Sequence, residues 1–419
     1  MSNSRNSSSL GVRRIISRLM TPLLAAYPVV RNMRFMLLLA GNSVSAIGSS
    51  FNTLALSLLA FDITGSVAAL ANIWIARVVS RLVLQPFAGA YVDRWPYKST
   101  LVVGHMLFAM TAVGFLFVNG ETIWLAYVLT FCLQAIEGFV SPALNASLPS
   151  IVGEEELLSA NALFATTSKT AVLIGPALAG LLYGLIGASP LFLFNAVSYL
   201  VVLLAILPLT ITITRAAPTA QQSIFRDVVD GFRFAIRDTV VLSIIVMVAI
   251  NSLALRVLDI VLVPVSESIL NVGPQGLGLL YSSLTFGSLV GLLVIPYLRR
   301  VAGSVRWLIG TYTLIAVPFM LVAVLPVASI AYVSMFVIGV LVDISGIVMR
   351  QLVQTQVPPE LRGRIFATLN MAMAAGVIPA LLGLQPIVDQ IGFMGSIGLS
   401  AVVIILAGLA MFGWIARPR

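Results

Sequence analysis

The sequence predicts an all-α membrane protein, with twelve transmembrane helices in two pseudo-symmetric six-helix bundles. Composition is the first reason. Of 419 residues, 59% are hydrophobic and only 9% charged, and the mean hydropathy is +1.06. A soluble domain has no interior large enough to hide that much apolar surface, whereas a polytopic membrane protein presents it to lipid. The second reason is the sorting of charge between apolar runs, and the third is an internal repeat.

Residues 1–34 are polar and basic, and the first long apolar run begins only near Phe35, so no cleavable signal of ordinary length is expected. Spans long enough to cross about 30 Å of hydrocarbon are expected near 35–61, 67–92, 99–118, 122–148, 164–187 and 190–211, and again near 240–265, 276–298, 305–325, 329–355, 365–388 and 394–415. With twelve crossings, Arg94, Lys98, Arg215, Arg226, Arg306, Arg362 and Arg364 fall on the side of the N-terminus, while the opposite turns carry Asp62, Glu121, Glu267 and Asp389. By the positive-inside rule both termini are expected in the cytoplasm. The net charge of +9 therefore reads as topology and headgroup contact, not as nucleic-acid binding.

The expected organisation is a basic tail (1–34), a first bundle (35–211), a linker with an amphipathic surface helix (212–239), a second bundle (240–415) and a short tail (416–419). The halves echo each other. Pro176-Ala-Leu-Ala-Gly180 is matched by Pro379-Ala-Leu-Leu-Gly383, Phe164-Ala-Thr166 by Phe366-Ala-Thr368, and Glu156-Leu157 by Glu360-Leu361, all at offsets close to 205 residues. Six spans preserve orientation, so the repeats are parallel.

One cysteine, Cys132, and one histidine, His105, leave no material for a disulfide within the chain, a thiolate metal cluster or a His-based triad. No metal and no cofactor is expected. A Gly-Lys-Ser/Thr phosphate loop, paired aspartates in a helix and a zinc motif are also missing from the sequence, which argues against an ATP-driven pump or an intramembrane enzyme.

Charges inside hydrocarbon are costly unless paired or hydrated, and they mark function. The expected spans hold Arg77 and Arg81 (span two), Glu137 (four), Lys169 (five), Arg256 and Asp259 (seven), and Asp343 and Arg350 (ten). Arg256 and Asp259 lie within one turn and can neutralise each other. Glu137 and Arg81 lie at similar depth, which leaves two readings: an ion pair, or a Glu137 that takes up and releases a proton as access changes. Glu137, Asp259 and Asp343 are the proton-coupling candidates, with the proton as the coupling ion.

The turn Gly89-Ala-Tyr-Val-Asp93-Arg94-Trp-Pro-Tyr-Lys98 resembles the signature loop of the major facilitator superfamily, through Gly89, Asp93, Arg94 and Lys98. Ala171 to Gly180, with Gly175, Pro176 and Gly180, resembles the antiporter motif of that superfamily's drug-efflux branch, and 357–364 resembles loops of macrolide-efflux and siderophore-exporter relatives. Two departures stand out: Pro96 and Tyr97 in the signature loop, and Gln134 where drug-proton antiporters often carry Arg four residues before a glycine, here Gly138. The resemblance implies a monomeric secondary transporter of the inner membrane that exports an amphipathic small molecule in exchange for protons. It also implies a gate at Asp93 and Arg94, and a cavity lined by helices one, four, seven and ten, with Asn42 and Asn52 as further lining candidates. A lipid flippase or an importer on the same fold is the alternative, and a non-transporting sensor the remote one.

Overall fold

The computed structural model describes residues 27–92, 94–211, 233, 238–298 and 303–415. All regular elements among them are helical. The basic tail to residue 26, most of the linker, Asp93 and the last four residues lie outside the described residues. In the first half the crossings are α1 (Met33–Thr64), α2 (Val67–Val92), α3 (Tyr97–Gly114), α4 (Ile123–Val152), α5 (Leu157–Ile186) and α6 (Ala188–Ile206). In the second they are α7 (Thr239–Ser268), α8 (Gly273–Leu298), α9 (Val305–Val324), α10 (Ala328–Gln356), α11 (Pro359–Leu382) and α12 (Leu384–Ile415). All twelve are long and apolar enough to span a bilayer.

Local chemistry sets where several helices start. Asn32 Oδ1 accepts from the backbone N–H of Arg34 (3.1 Å) and Phe35 (3.2 Å) at the start of α1. Asp238 does the same for Val240 (2.9 Å) and Val241 (3.0 Å) at the start of α7. Each satisfies amide donors that have no partner within the helix.

The sequence repeat extends into the backbone. The turn between α5 and α6 is made at Gly187 (φ 75°, ψ −171°), and 205 residues later Gly392 adopts nearly the same conformation (φ 72°, ψ 177°). Both lie in the half of φ space that side chains with a Cβ avoid. Gly392 breaks α12, so its first stretch, 384–391, completes the eleventh crossing beyond Gly383 and the twelfth begins at Phe393. Span eleven thus ends at the expected place, but in two helical pieces.

Neighbours repeat with a shift of six helices. In the first bundle α1 lies against α5 and α6, α2 against α4, and α3 against α4 and α6. In the second, α7 lies against α11 and α12, α8 against α10, and α9 against α10 and α12. The bundles meet through α5 with α8 and through its symmetric mate, α2 with α11.

The closest of these contacts lie toward one end. Call the face that carries Asn32 and Ile415 proximal, and the other distal. Gly180 of α5 lies so close to Pro274 of α8 that an added Cβ would overlap the Pro274 carbonyl, and Gly278 of α8 is likewise pressed on the Pro176 carbonyl. Ser282 Oγ donates to the Leu173 carbonyl (2.6 Å). On the other side of the seam, Gln385 Oε1 accepts from the Ala68 N–H (2.9 Å), and its Nε2 donates to Asp389 (2.8 Å). All these contacts fall in the distal halves of their crossings. Toward the proximal face Leu158 of α5 and Tyr297 of α8 are 84% and 86% exposed. The closest backbone packing of the seam thus lies toward the distal face.

Within the second bundle the backbones are equally close: a Cβ on Gly339 of α10 would overlap the Leu284 carbonyl of α8, and one on Gly287 the Phe336 carbonyl. Gly339→Ala is therefore expected to destabilise the protein by about 1–3 kcal/mol, seen as a lower midpoint of thermal unfolding in detergent. Gly346→Ala, on the same helix with no atom within 4 Å of the added Cβ, is expected to leave the midpoint unchanged or raise it.

Candidate transport site

Two groups of polar side chains occupy the middle of the molecule. The first lies inside the first bundle. Helices α1, α3, α4, α5 and α6 surround a cavity of about 340 Å³ whose polar lining includes Asn42, Ser49, Glu137, Asn145, Asn161 and Tyr199. The Ser49 and Tyr199 hydroxyls are 3.2 Å apart. Asn42 Nδ2 donates to the Leu38 carbonyl of its own helix (2.9 Å), which leaves its Oδ1 for the cavity. His105 lies at the cavity edge, buried, with Nδ1 on the Leu101 carbonyl (2.8 Å) and its ring edge-on to Phe108. Asn52 does not line this cavity. It is 4% exposed among apolar neighbours, with Oδ1 unpartnered.

The second group lies on the seam between α2 and α7. Arg256 Nη1 meets Asp259 Oδ2 at 2.8 Å on successive turns of α7. The guanidiniums of Arg256 and Arg77 both lie over the indole of Trp74, with Cζ atoms 4.3 and 4.9 Å from the ring centre. Tyr281 of α8 donates its hydroxyl to the Asp259 carbonyl (3.0 Å). One turn along α2, Arg81 Nη2 donates to Gln134 Oε1 of α4 (3.2 Å).

The geometry corrects one expectation. Arg81 and Glu137 do not form an ion pair within 4.0 Å; the guanidinium instead takes Gln134, three residues before Glu137 on α4. Position 134 is nearer because α4 turns Glu137 toward the cavity of the first bundle. Among the described residues Glu137 has no lysine or arginine nitrogen within 4.0 Å, whereas Asp259 and Asp343 both do. Asp343 of α10 faces Lys169 of α5 across the seam at 3.9 Å, both side chains partly exposed. Arg350 is exposed, near the proximal end of α10.

Of the signature loop, Gly89 lies in α2 and Arg94 is exposed in the turn. Lys98 Nζ donates to the Leu207 carbonyl (2.7 Å) and so caps the end of α6. Asp93 is outside the described residues. The antiporter-like motif is a packing surface. Gly175 lies on Ser50 of α1, while the Pro176 carbonyl and Gly180 form the seam with α8.

Trp74, Tyr281 and Gln385 were not anticipated, and neither was Gln134 as the partner of Arg81. A signal for Trp74 was present, because an indole three residues before Arg77 shares its helix face. The others are partners across helices, which spacing along one helix does not reveal.

The fold and the site together define a membrane transporter built from two parallel repeats. The family model of the Major Facilitator Superfamily matches residues 38–381, and the chain belongs to that superfamily; it is a transporter, not an enzyme. It is 22% identical over 391 residues to macrolide efflux protein A of Streptococcus pyogenes, covering 89% of this chain and 94% of that protein. It is 26% identical over 340 residues to the enterobactin exporter EntS of Salmonella choleraesuis (strain SC-B67), covering 79% and 80%. The crystal structure of the nucleoside transporter NupG superposes with a TM-score of 0.73 at 15% identity, over 92% of this chain and all of that one.

Asp259→Asn leaves two guanidiniums on one indole without their carboxylate. The expected loss of stability lies between the ~1 kcal/mol of an exposed pair and the ~3–5 kcal/mol of breaking a buried one. The double variant Arg256→Gln/Asp259→Asn is expected to recover part of it, and thermal unfolding of the single and double variants measures the coupling.

Proposed function

We propose that the chain exports an amphipathic small solute across the cell membrane in exchange for protons, with both termini in the cytoplasm and one chain forming the whole transport unit. The observation that carries this reading is the position of Glu137. It is a carboxylate that, among the described residues, has no lysine or arginine nitrogen within 4.0 Å, and it lines a polar cavity inside the first bundle. In hydrocarbon such a group is costly, and a role as proton carrier accounts for its retention. Asp259 and Asp343 rank behind it because each already has a cation within 4.0 Å. Export is supported by the macrolide and enterobactin relatives and by the antiporter-like motif. Cytoplasmic termini are supported by the basic residues of the proximal turns. The solute would enter from the proximal side, and rocking about the seam would expose it distally.

The test uses proteoliposomes with an imposed pH gradient and a pH-sensitive dye, with a panel of amphipathic drugs and siderophores. Solute-evoked proton flux in the wild type, lost in Glu137→Gln at unchanged folding, is the expected outcome. Flux that survives the substitution moves the proton to Asp259 or Asp343. Absence of flux with every solute in folded protein overturns proton-coupled export.

A further inference from the structure

We propose that the α2–α7 seam is an anion-binding site, in which Arg77 and Arg256, both over Trp74, and Arg81 one turn along α2 hold the negatively charged head of the transported solute. This rests on the export reading, since it names the charge class of the solute.

Cations outnumber acids here. Three guanidiniums share a single carboxylate in ion-pair contact, that of Asp259, which Arg256 engages. Among the described residues Arg77 has no carboxylate within 4.0 Å, and its contact is the indole face. Arg81 donates to the neutral Gln134. Glu137, the other acid nearby, lines the neighbouring cavity. A guanidinium cannot shed its proton to escape hydrocarbon, so an arginine left without a carboxylate at this depth is a standing cost. A ligand that brings negative charge removes it.

The site is also shaped for that chemistry. Each guanidinium is a planar fork that matches a carboxylate, phosphate or sulfonate with two parallel hydrogen bonds. Trp74 holds two such forks on one ring, which fixes their planes before a ligand arrives. Arg77 lies ten residues from the distal start of α2 and Arg256 twelve from the distal end of α7, or about 15 and 18 Å at 1.5 Å per residue. That is near the middle of a bilayer about 30 Å thick, the depth at which transporters of this kind hold their solute, and an amphipathic solute would lodge its charged head there. All three side chains keep access: Arg81 is exposed, Arg77 is part-exposed and the Arg256 side chain is 32% exposed. Because α2 and α7 belong to different bundles, an anion held between Arg77 and Arg256 also senses their relative motion.

The probe is a matched pair, dansyl-phenylalanine with its free carboxylate and dansyl-phenylalaninamide without it, with a dansyl amine of similar size as the cationic control. Binding to the purified full chain in detergent is followed by fluorescence anisotropy. The carboxylate is expected to bind about tenfold or more tightly than the amide, the range for hydrogen bonds to charged groups. Arg77→Gln and Arg256→Gln are each expected to erase most of that preference while leaving amide binding unchanged. Arg77→Lys, which keeps the charge, is expected to retain part of it, as is the exposed variant Arg81→Gln should Arg77→Gln fail to fold. Equal binding of carboxylate and amide, binding of neither, or preference for the amine overturns the proposal. Proton flux evoked only by neutral or cationic solutes would sink the anion site and leave export standing. An arginine-dependent carboxylate preference without flux would sink proton-coupled export and leave the site standing.

Discussion

The contact of α5 with α8 is made backbone to backbone, and the accessibility of every polar group in the middle of the protein follows from it. Lipid supplies no hydrophobic force to drive two helices together, so close association depends on van der Waals contact between surfaces without bulky side chains. Gly180 under the Pro274 carbonyl and Gly278 under the Pro176 carbonyl form such a surface, and it is reciprocal, each helix giving one glycine and one proline carbonyl. The glycines that allow this approach, Gly180 and Gly278, both lie in the distal halves of their helices.

Ionic contacts divide according to whether they cross that seam. Arg256 and Asp259 lie on one helix at 2.8 Å, so their pair survives any rigid-body motion of the bundles. Lys169 and Asp343 lie on opposite bundles at 3.9 Å with both side chains partly exposed. A pair of that length and exposure is worth little, and it can be broken and remade as the bundles rock. The strong pair is carried along by the motion while the weak one lies across it. This is the distribution expected of a molecule that must not be trapped in one state.

Much of the fold was legible because it depends on one-dimensional signals. Apolar run length fixes the crossings, and a repeat of about 205 residues fixes the two bundles. The repeat proved deeper than the residue matches indicated, since Gly187 and Gly392 share a backbone conformation that favours glycine. Site residues were legible as charges out of place in apolar runs. A partner on the same helix was legible too, as Arg256 with Asp259, but partners on other helices were not, because they depend on the rotation of each helix about its axis. Depth placed Arg81 level with Glu137, yet a turn of α4 gave the hydrogen bond to Gln134. Asn52 is likewise placed by helix rotation: it is buried, and it does not line the cavity of the first bundle.

Gln134 also gives physical content to the departure from the drug-antiporter pattern. That pattern places a guanidinium on the fourth helix four residues before a glycine, and here the position holds a neutral amide. In the folded protein Arg81 reaches across from α2 and donates its guanidinium to that amide. The cation is thus present at the same location but delivered by the neighbouring helix, with Glu137 three residues further along α4 and facing the polar cavity. A guanidinium rooted on α2 belongs to the helix that also carries Arg77 and borders α7 of the other bundle. Charge moved from α4 to α2 is charge moved from the interior of one bundle to the seam between two.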